Sequence, residues 1–494
     1  MSKSRRAGLL AAACCMGFMA SAASAETLVD AVTLAYQTNP TLQQQRAVQR
    51  ATDETVVQAK TAFRPTVSAS AGVSGSRTDY ANATTTSSGF GYDALKTSGS
   101  SASVSLSQPL YTGGKASANL TAAEATVLAG REDLRSVEQA LLANVITAYV
   151  DVRRTEESLR ISQENVNVLT RQLDESNARF EVGEITRTDV AQSQARLASA
   201  KASLSSAQAN LAIARAGYAQ IVGQNPTDLA PEPSLAALLP ASVEQAFDAA
   251  EANNPTVVAA RFSEQAAAAD VAAARAAYLP TVSAAASLGY DAGKATYSGS
   301  GGSAGAGDTF GDYDRAVTGS ITARVPIFTG GLNASSVRAA RERENSARIA
   351  VEAAKRSVVQ EVSSAWSTLL AARASLVSNE EQVRATKIAF EGVRQEQQVG
   401  LRTTLDVLNA QQELRSAELA LVTARRDEYV ASAGVLRAMG ALDVAKLAPD
   451  VQRYDPKVSY DKVNHAFGWV PWEPAVQALD KVASPAVTVP AAGK

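Results

Sequence analysis

Two stretches about 215 residues apart carry the same order of signals, and this constrains the fold more than any other feature of the chain. L-V-D-A-V-T-L-A-Y-Q-T-N-P at 28–40 matches V-E-Q-A-F-D-A-A-E-A-N-N-P at 243–255. A-K-T-A-F-R-P-T-V-S-A-S-A at 59–71 matches A-R-A-A-Y-L-P-T-V-S-A-A-A at 274–286, and Q-P-L-Y-T-G-G-K at 108–115 matches V-P-I-F-T-G-G-L at 325–332. The offset is 215 up to Pro65 and Pro280 and 217 afterwards, so the second copy carries two extra residues between its strands, where a loop tip absorbs them. A unit of about 210 residues is a duplication, not a short-period solenoid. The expected boundaries are a first repeat at 26–225, a proline-rich linker at 226–241, a second repeat at 242–447 and a tail at 448–494.

Each copy reads in one order. A helical stretch (28–63; 243–278) is stopped by Pro65 or Pro280. Small or apolar residues then alternate with Ser, as in T-V-S-A-S-A-G-V-S-G from 66, which is the period of a strand with two unlike faces. A Gly/Ser/Thr-rich loop follows, then a second alternating run at 103–111 and 316–328. Gly113-Gly114 and Gly330-Gly331 close these runs and are placed to bend strand into helix; they lack the Lys-Ser/Thr pair of a phosphate loop. From Lys115 to Glu181 and from Leu332 to Gln398 there is no proline and one glycine each, among good helix formers. About 65 residues of helix make a rod of roughly 100 Å. Leu141, Val145, Ala148 and Val152 fall at three- and four-residue spacing, a packing stripe.

Four strands of about ten residues suit a bilayer if tilted, but four cannot close a barrel. An open edge in lipid leaves backbone groups unsatisfied, at several kcal/mol each. Two copies would supply eight strands, too few for an aqueous lumen; three supply twelve. The expected fold class is therefore mainly α with a transmembrane β-barrel: a duplicated protomer with long α-helical hairpins and four strands, whose trimer forms a twelve-stranded barrel and a helical tunnel.

The start of the chain agrees with export. Lys3, Arg5 and Arg6 precede an apolar run from Ala7 to Ala20, and Ala23-Ser24-Ala25 is a small-x-small cleavage site, so 1–25 reads as a signal peptide. Arg5-Arg6 also fits twin-arginine export, and Cys14 or Cys15 an acylated lipoprotein signal. Both cysteines lie inside this segment, so the mature chain has no disulfide or thiolate chemistry. The 47 basic residues less these three stand against 49 acidic ones, a net charge of about −5 with no basic stripe, which argues against nucleic acid. The single histidine, His465, makes neither a catalytic triad nor a zinc site; no enzyme activity, cofactor or metal is expected.

Two further breaks repeat. V-G-E-I-T-R-T-D-V-A-Q at 182–192 and V-G-L-R-T-T-L-D-V-L-N at 399–409 fall at the ends of the long helices farthest from the strands. Gly183 and Gly400 suit a left-handed residue closing a helix. Thr186 and Thr403 suit N-caps, with Asp189 and Asp406 three residues on, the spacing of a capping box. A residue of a trimer that faces the lumen also appears three times in a ring, and three carboxylates together attract cations.

The ordered set of N-P (39–40, 254–255), P-x-x-x-G-G (109–114, 326–331) and V-G-L-R-T-T-L-D-V-L-N, set in the duplicated frame over about 26–447, resembles the TolC-like outer-membrane efflux and secretion channels. The resemblance implies a homotrimer with its barrel in outer-membrane lipid and its tunnel in the periplasm. It further implies docking to a periplasmic adaptor and an inner-membrane ABC or proton-driven transporter, for type I protein secretion or multidrug efflux. By position, Asp406 matches a constriction ring, and Arg402 matches the residue that pairs across hairpins with Asp189, beside Thr188, to hold the gate shut. Asn409 stands where relatives carry a second acid, so one charged ring is missing and cation block should be weaker. Gln397 replaces a tyrosine of the gate network. Val182, Gly183, Val399, Gly400 and Leu401 form the tips expected to meet the adaptor.

A surface-exposed adhesive trimeric coiled coil is the alternative reading; it predicts one stalk and one barrel segment, not strands in both repeats. A periplasmic adaptor would need a membrane anchor and a β-rich ring module. Tyr111 and Phe328 suit an aromatic girdle at the barrel rim. In the tail, Phe467, Trp469 and Trp472 suit a membrane surface or a partner, although the tail as a whole is expected to pack around the middle of the tunnel, where the family carries a belt. Its end, from Ser484, reads as disordered, and Y-D-P at 454–456 points toward secretion-type members.

Overall fold

In the computed structural model the described residues are 25–85, 91–299, 302–307, 313–464 and 468–482. The signal segment with Cys14 and Cys15, His465, Phe467 and the end of the tail lie outside them.

The opening helical stretch is two helices in each repeat, not one. α1 (Leu28–Thr38) starts at a Thr27–Asp30 capping box and stops at Asn39, whose φ −61°, ψ 124° is extended; α2 (Pro40–Lys60) starts at the next residue. A residue before proline is sterically kept out of the helical region, so Asn-Pro breaks the helix and Pro restarts it at a position that has no N–H to lose. The second repeat does the same at Asn254 and Pro255.

β1 (Thr66–Thr85) and β2 (Gly91–Tyr111) follow, then α3 (Lys115–Glu181) and α4 (Arg187–Val222). α5 (Val243–Asn253) and α6 (Pro255–Ala276) lead into β3 (Thr281–Gly299), β4 (Gly302–Gly307) and β5 (Asp314–Arg324). α7 (Leu332–Gln398) and α8 (Thr404–Ala438) complete the repeat, and α9 (Val444–Leu447), α10 (Pro456–Asn464) and α11 (Glu473–Lys481) form the tail. α3 and α7 have 67 residues each, about 100 Å of helix.

The strands are antiparallel in the order β1-β2-β3, with β4 and β5 pairing the two halves of β3 as a fourth column. β1, β2 and β3 have 20, 21 and 19 residues, about twice the expected length. The Gly/Ser/Thr-rich segments read as loop continue the ladder, with Gly99 opposite Gly293 and Ser76 Oγ 2.7 Å from Thr97 Oγ1. Backbone pairing needs no apolar side chain, so composition hid it. At the other end β5 stops at Arg324, short of Phe328, because Pro326 cannot donate to the ladder.

The register gives the sheet two unlike faces. Val67, Ala69 and Ala71 lie opposite Leu106, Val104 and Ala102, which lie opposite Ala286, Leu288 and Tyr290; Leu288 in turn faces Val317, and Ala284 faces Ile321. The other face carries Ser68–Ser105, Ser70–Ser103 and Ser287–Thr318, each pair joined hydroxyl to hydroxyl at 2.6–2.9 Å. Val67, Val73, Val317 and Ile321 are exposed on the apolar face.

The described chain forms two compact units. One comprises the described residues through Asn39 with Asn144–Ala237 and Ala372–Val430; the other comprises Pro40–Ala143, Leu238–Ala371 and the remainder from Ala431. In the first, Val166 and Leu169 of α3 pack with Leu197 and Ala200 of α4 and Leu408 of α8. Burying a side chain like Leu408 contributes about 1.5–3 kcal/mol. The same unit anchors the first of the described residues: the buried Glu26 carboxylate accepts from Tyr218 (2.5 Å), Gln224 and Thr227. Burial and the Glu26 partner hold the Tyr218 phenol far above its ordinary range.

In the second unit the tail departs from the expected belt. α10 packs on α2, and α11 sits where β2 turns into α3. Val476 enters a core cluster with Val56, Phe63, Ala116, Leu120 and Val127. Arg64 Nε meets Glu473 Oε2 at 2.8 Å with both side chains buried. The Asp480 carboxylate accepts from Thr112 N (2.7 Å), Thr112 Oγ1, Gly114 N, Ser117 N and Ser117 Oγ. This bend exists because Gly113 and Gly114 take φ 70° and 85°, and a Cβ on Gly113 would lie 2.8 Å from that of Leu279. Gly330 and Gly331 take φ 61° and 87° at the equivalent bend, with open space around both.

Candidate functional site: the hairpin tips

Both tips are built from the same local parts. At the end of α3, Glu184 N donates to Arg179 O (2.9 Å) and Gly183 N to Phe180 O (3.0 Å). At the end of α7, Leu401 N donates to Glu396 O and Gly400 N to Gln397 O with the same spacing. This is the Schellman closure, which needs a left-handed residue, and Gly183 and Gly400 supply φ 80° and 83°. The returning helices then start on reciprocal caps. Asp189 accepts from Thr186 N and Oγ1 at 2.9 and 2.8 Å, and Asp406 from Thr403 N and Oγ1 at 3.0 and 2.8 Å. Bonds from the Thr403 backbone and hydroxyl, with a smaller contribution from Arg402, hold the Asp406 carboxyl below its ordinary range.

The remaining residues of the set divide. Val182, Val399 and Leu401 stand exposed at the turns, as does Thr188 beside Asp189, whereas Gln397 is buried. Arg402 donates to Glu396 of its own hairpin at 2.8 Å, and this bond raises its already high pKa. Asp189 is engaged in its cap. Asn409 Oδ1 accepts from Arg196 Nη2 of α4 at 3.0 Å, a partner that sequence reasoning missed because 213 positions separate the two. Two residues further on, Gln411 of α8 donates to Asn165 of α3 at 3.3 Å, buried. Leu408, Asn409 and Gln411 thus seam α8 to the first hairpin through one apolar and two polar contacts.

The family described as outer membrane efflux protein matches residues 31–224 and 246–441, almost the whole of both repeats. The chain belongs to that family. Outer membrane efflux protein BepC of Brucella suis is 36% identical over 442 residues, covering 90% of this chain and 91% of that protein. Outer membrane protein TolC of Vibrio cholerae is 27% identical over 430 residues, covering 86% and 93%. Among solved structures, the outer membrane protein VceC from Vibrio cholerae superposes with a TM-score of 0.65 at 21% identity, over 84% of this chain and 96% of that one.

Membership fixes the compartment: this is an outer-membrane transport protein reaching into the periplasm. No helix among the described residues is long and apolar enough to cross a membrane. Strands stand in both repeats, and the adhesive-stalk reading has no support.

Proposed function

We propose that three copies of this efflux protein close a twelve-stranded barrel in the outer membrane and continue as a helical tunnel, a conduit that opens at the hairpin tips. The observation that carries this reading is the sheet. Its Val/Ala/Leu face suits lipid, its Ser/Thr face suits water, and β1 on one side with β4 and β5 on the other are edges that lipid does not tolerate open. α7 supports it. Val359, Leu370, Val377 and Ile388 recur at near-whole numbers of turns and are exposed, a stripe suited to a neighbouring copy.

In the trimer the repeats 26–225 and 242–447, joined by 226–241, alternate around the axis. Asp406 then lines the constriction, and Arg402 exchanges Glu396 for Asp189 or Thr188 of a facing hairpin when the gate is shut. The exposed tips at Val182-Gly183 and Val399-Gly400-Leu401 dock a periplasmic adaptor that couples the channel to an inner-membrane transporter. Efflux is the favoured role, in keeping with the name of the Brucella suis relative.

Single-channel conductance in a planar bilayer tests this, comparing wild type with Asp406→Ala, with and without divalent cations. Small wild-type conductance, and a cation block lost in the variant, is the expected result. A folded, membrane-inserted trimer that does not conduct would overturn the reading.

A further inference from the structure

We propose that α11 and the turn before it form an interfacial anchor, in which Trp469, Trp472, Leu479 and Val482 enter the headgroup–acyl boundary of the periplasmic leaflet. This rests on the reading of the sheet as a membrane barrel.

One face of α11 is fully occupied. Glu473, Val476 and Asp480 follow helical spacing and are all buried, on Arg64, on the Val56–Phe63 cluster and on the Thr112–Ser117 bend. Trp472, Leu479 and Val482 fall on the neighbouring stripe and are 49%, 51% and 81% exposed, with Trp469 at 58% just before them. Such a concentration of exposed large apolar groups on so short a segment calls for a partner.

The side of the sheet on which this stripe lies identifies the partner. Trp472 Nε1 donates to Gln108 Oε1 at 3.2 Å. Gln108 is in register with Ala284 and shares its face with Leu106 and Val104, the apolar face. α11 therefore stands outside the barrel wall and not in its lumen. It stands at the end of β2 that turns into α3, which is the periplasmic rim. A neighbouring copy would pair at the sheet edges, but β2 is an interior strand with β1 on one side and β3 on the other. The surface that remains beside it is lipid. A tryptophan with its N–H bonded to protein and its ring exposed is the side chain that membrane interfaces favour.

The chain has three tryptophans, so Trp366→Phe leaves only Trp469 and Trp472 to report. This variant is placed in phosphatidylethanolamine–phosphatidylglycerol vesicles with or without bromine near the headgroup end of the acyl chains. The expected result is loss of half or more of the tryptophan emission in brominated vesicles, shared between Trp366→Phe/Trp469→Phe and Trp366→Phe/Trp472→Phe. Equal emission with and without bromine, in vesicles shown to conduct, overturns the anchor and leaves the channel standing; a blue-shifted but unquenched signal assigns the face to a neighbouring copy with the same consequence. A preparation that neither inserts nor conducts overturns the membrane reading and the anchor together.

Discussion

Arg196 of α4 donates from Nη2 to Oδ1 of Asn409 on α8 at 3.0 Å, a cross-link between the two hairpins of one protomer. It places a guanidinium beside Asn409, three residues beyond Asp406 of the proposed constriction. Asn409→Asp turns this contact into an exposed ion pair, worth about 0.2–1 kcal/mol, and adds a carboxylate that Arg196 largely neutralises. The single variant should therefore raise divalent-cation block only slightly, and Asn409→Asp/Arg196→Ala should raise it strongly. Equal block in the two, measured by conductance titration, would show that Arg196 does not screen the constriction.

The tips allow a test of local geometry apart from gating. A Cβ on Gly183 or Gly400 meets no atom within 4 Å, so alanine there costs only the left-handed backbone, about 1–2 kcal/mol. Thr186→Ala and Thr403→Ala each remove a cap, at about 0.5–2 kcal/mol. Thermal unfolding of the four variants should show comparable losses in the two repeats, since both tips use the same bonds.

These tips were legible because their determinants are local: V-G closes a helix, and T-x-x-D opens one within a few residues. The strand alternation was legible for the same reason, and the register turns it into two faces. The Asn39–Pro40 and Asn254–Pro255 breaks carried a local signal that the uninterrupted helical composition around them outweighed. Their asparagines do a further job that only the fold displays, donating from Nδ2 to Ile221 O and Ala438 O at the ends of the returning helices, 2.9 Å each. The Arg196–Asn409 contact and the seat of α11 join residues hundreds of positions apart, and no spacing rule reaches them. The tail misled because its aromatic and proline-rich sequence has no counterpart in either repeat.

Arg64 and Glu473 form a buried pair, and its strength depends on both partners being present. Glu473→Leu leaves an uncompensated guanidinium and should loosen α11 by about 3–5 kcal/mol, whereas Arg64→Met/Glu473→Leu should recover most of the loss. Limited proteolysis of the tail, scored by cleavage around 468–482, distinguishes the two; equal cleavage in single and double variants would mean that the pair does not hold the helix.

Asp480 makes the same seat sensitive to acid. Burial pushes its carboxyl up, but the combined bonds from the Thr112 and Ser117 backbone and hydroxyls outweigh burial and hold it below its ordinary range. A carboxyl depressed in the folded chain contributes stability that is present above its unfolded pKa, about 3.9, and is lost as pH falls through the folded value. Hydrogen exchange over residues 473–481 should thus stay slow at neutral pH and accelerate only in strong acid. Asp480→Asn keeps the shape but turns an amide N–H₂ toward a bend made of donors, leaving one or more unpaired at about 1–3 kcal/mol each. It should exchange fast at neutral pH and lose the acid-dependent step. Retention of that step in Asp480→Asn would assign it to another group, and unchanged protection at neutral pH would mean that the bend does not depend on this carboxylate.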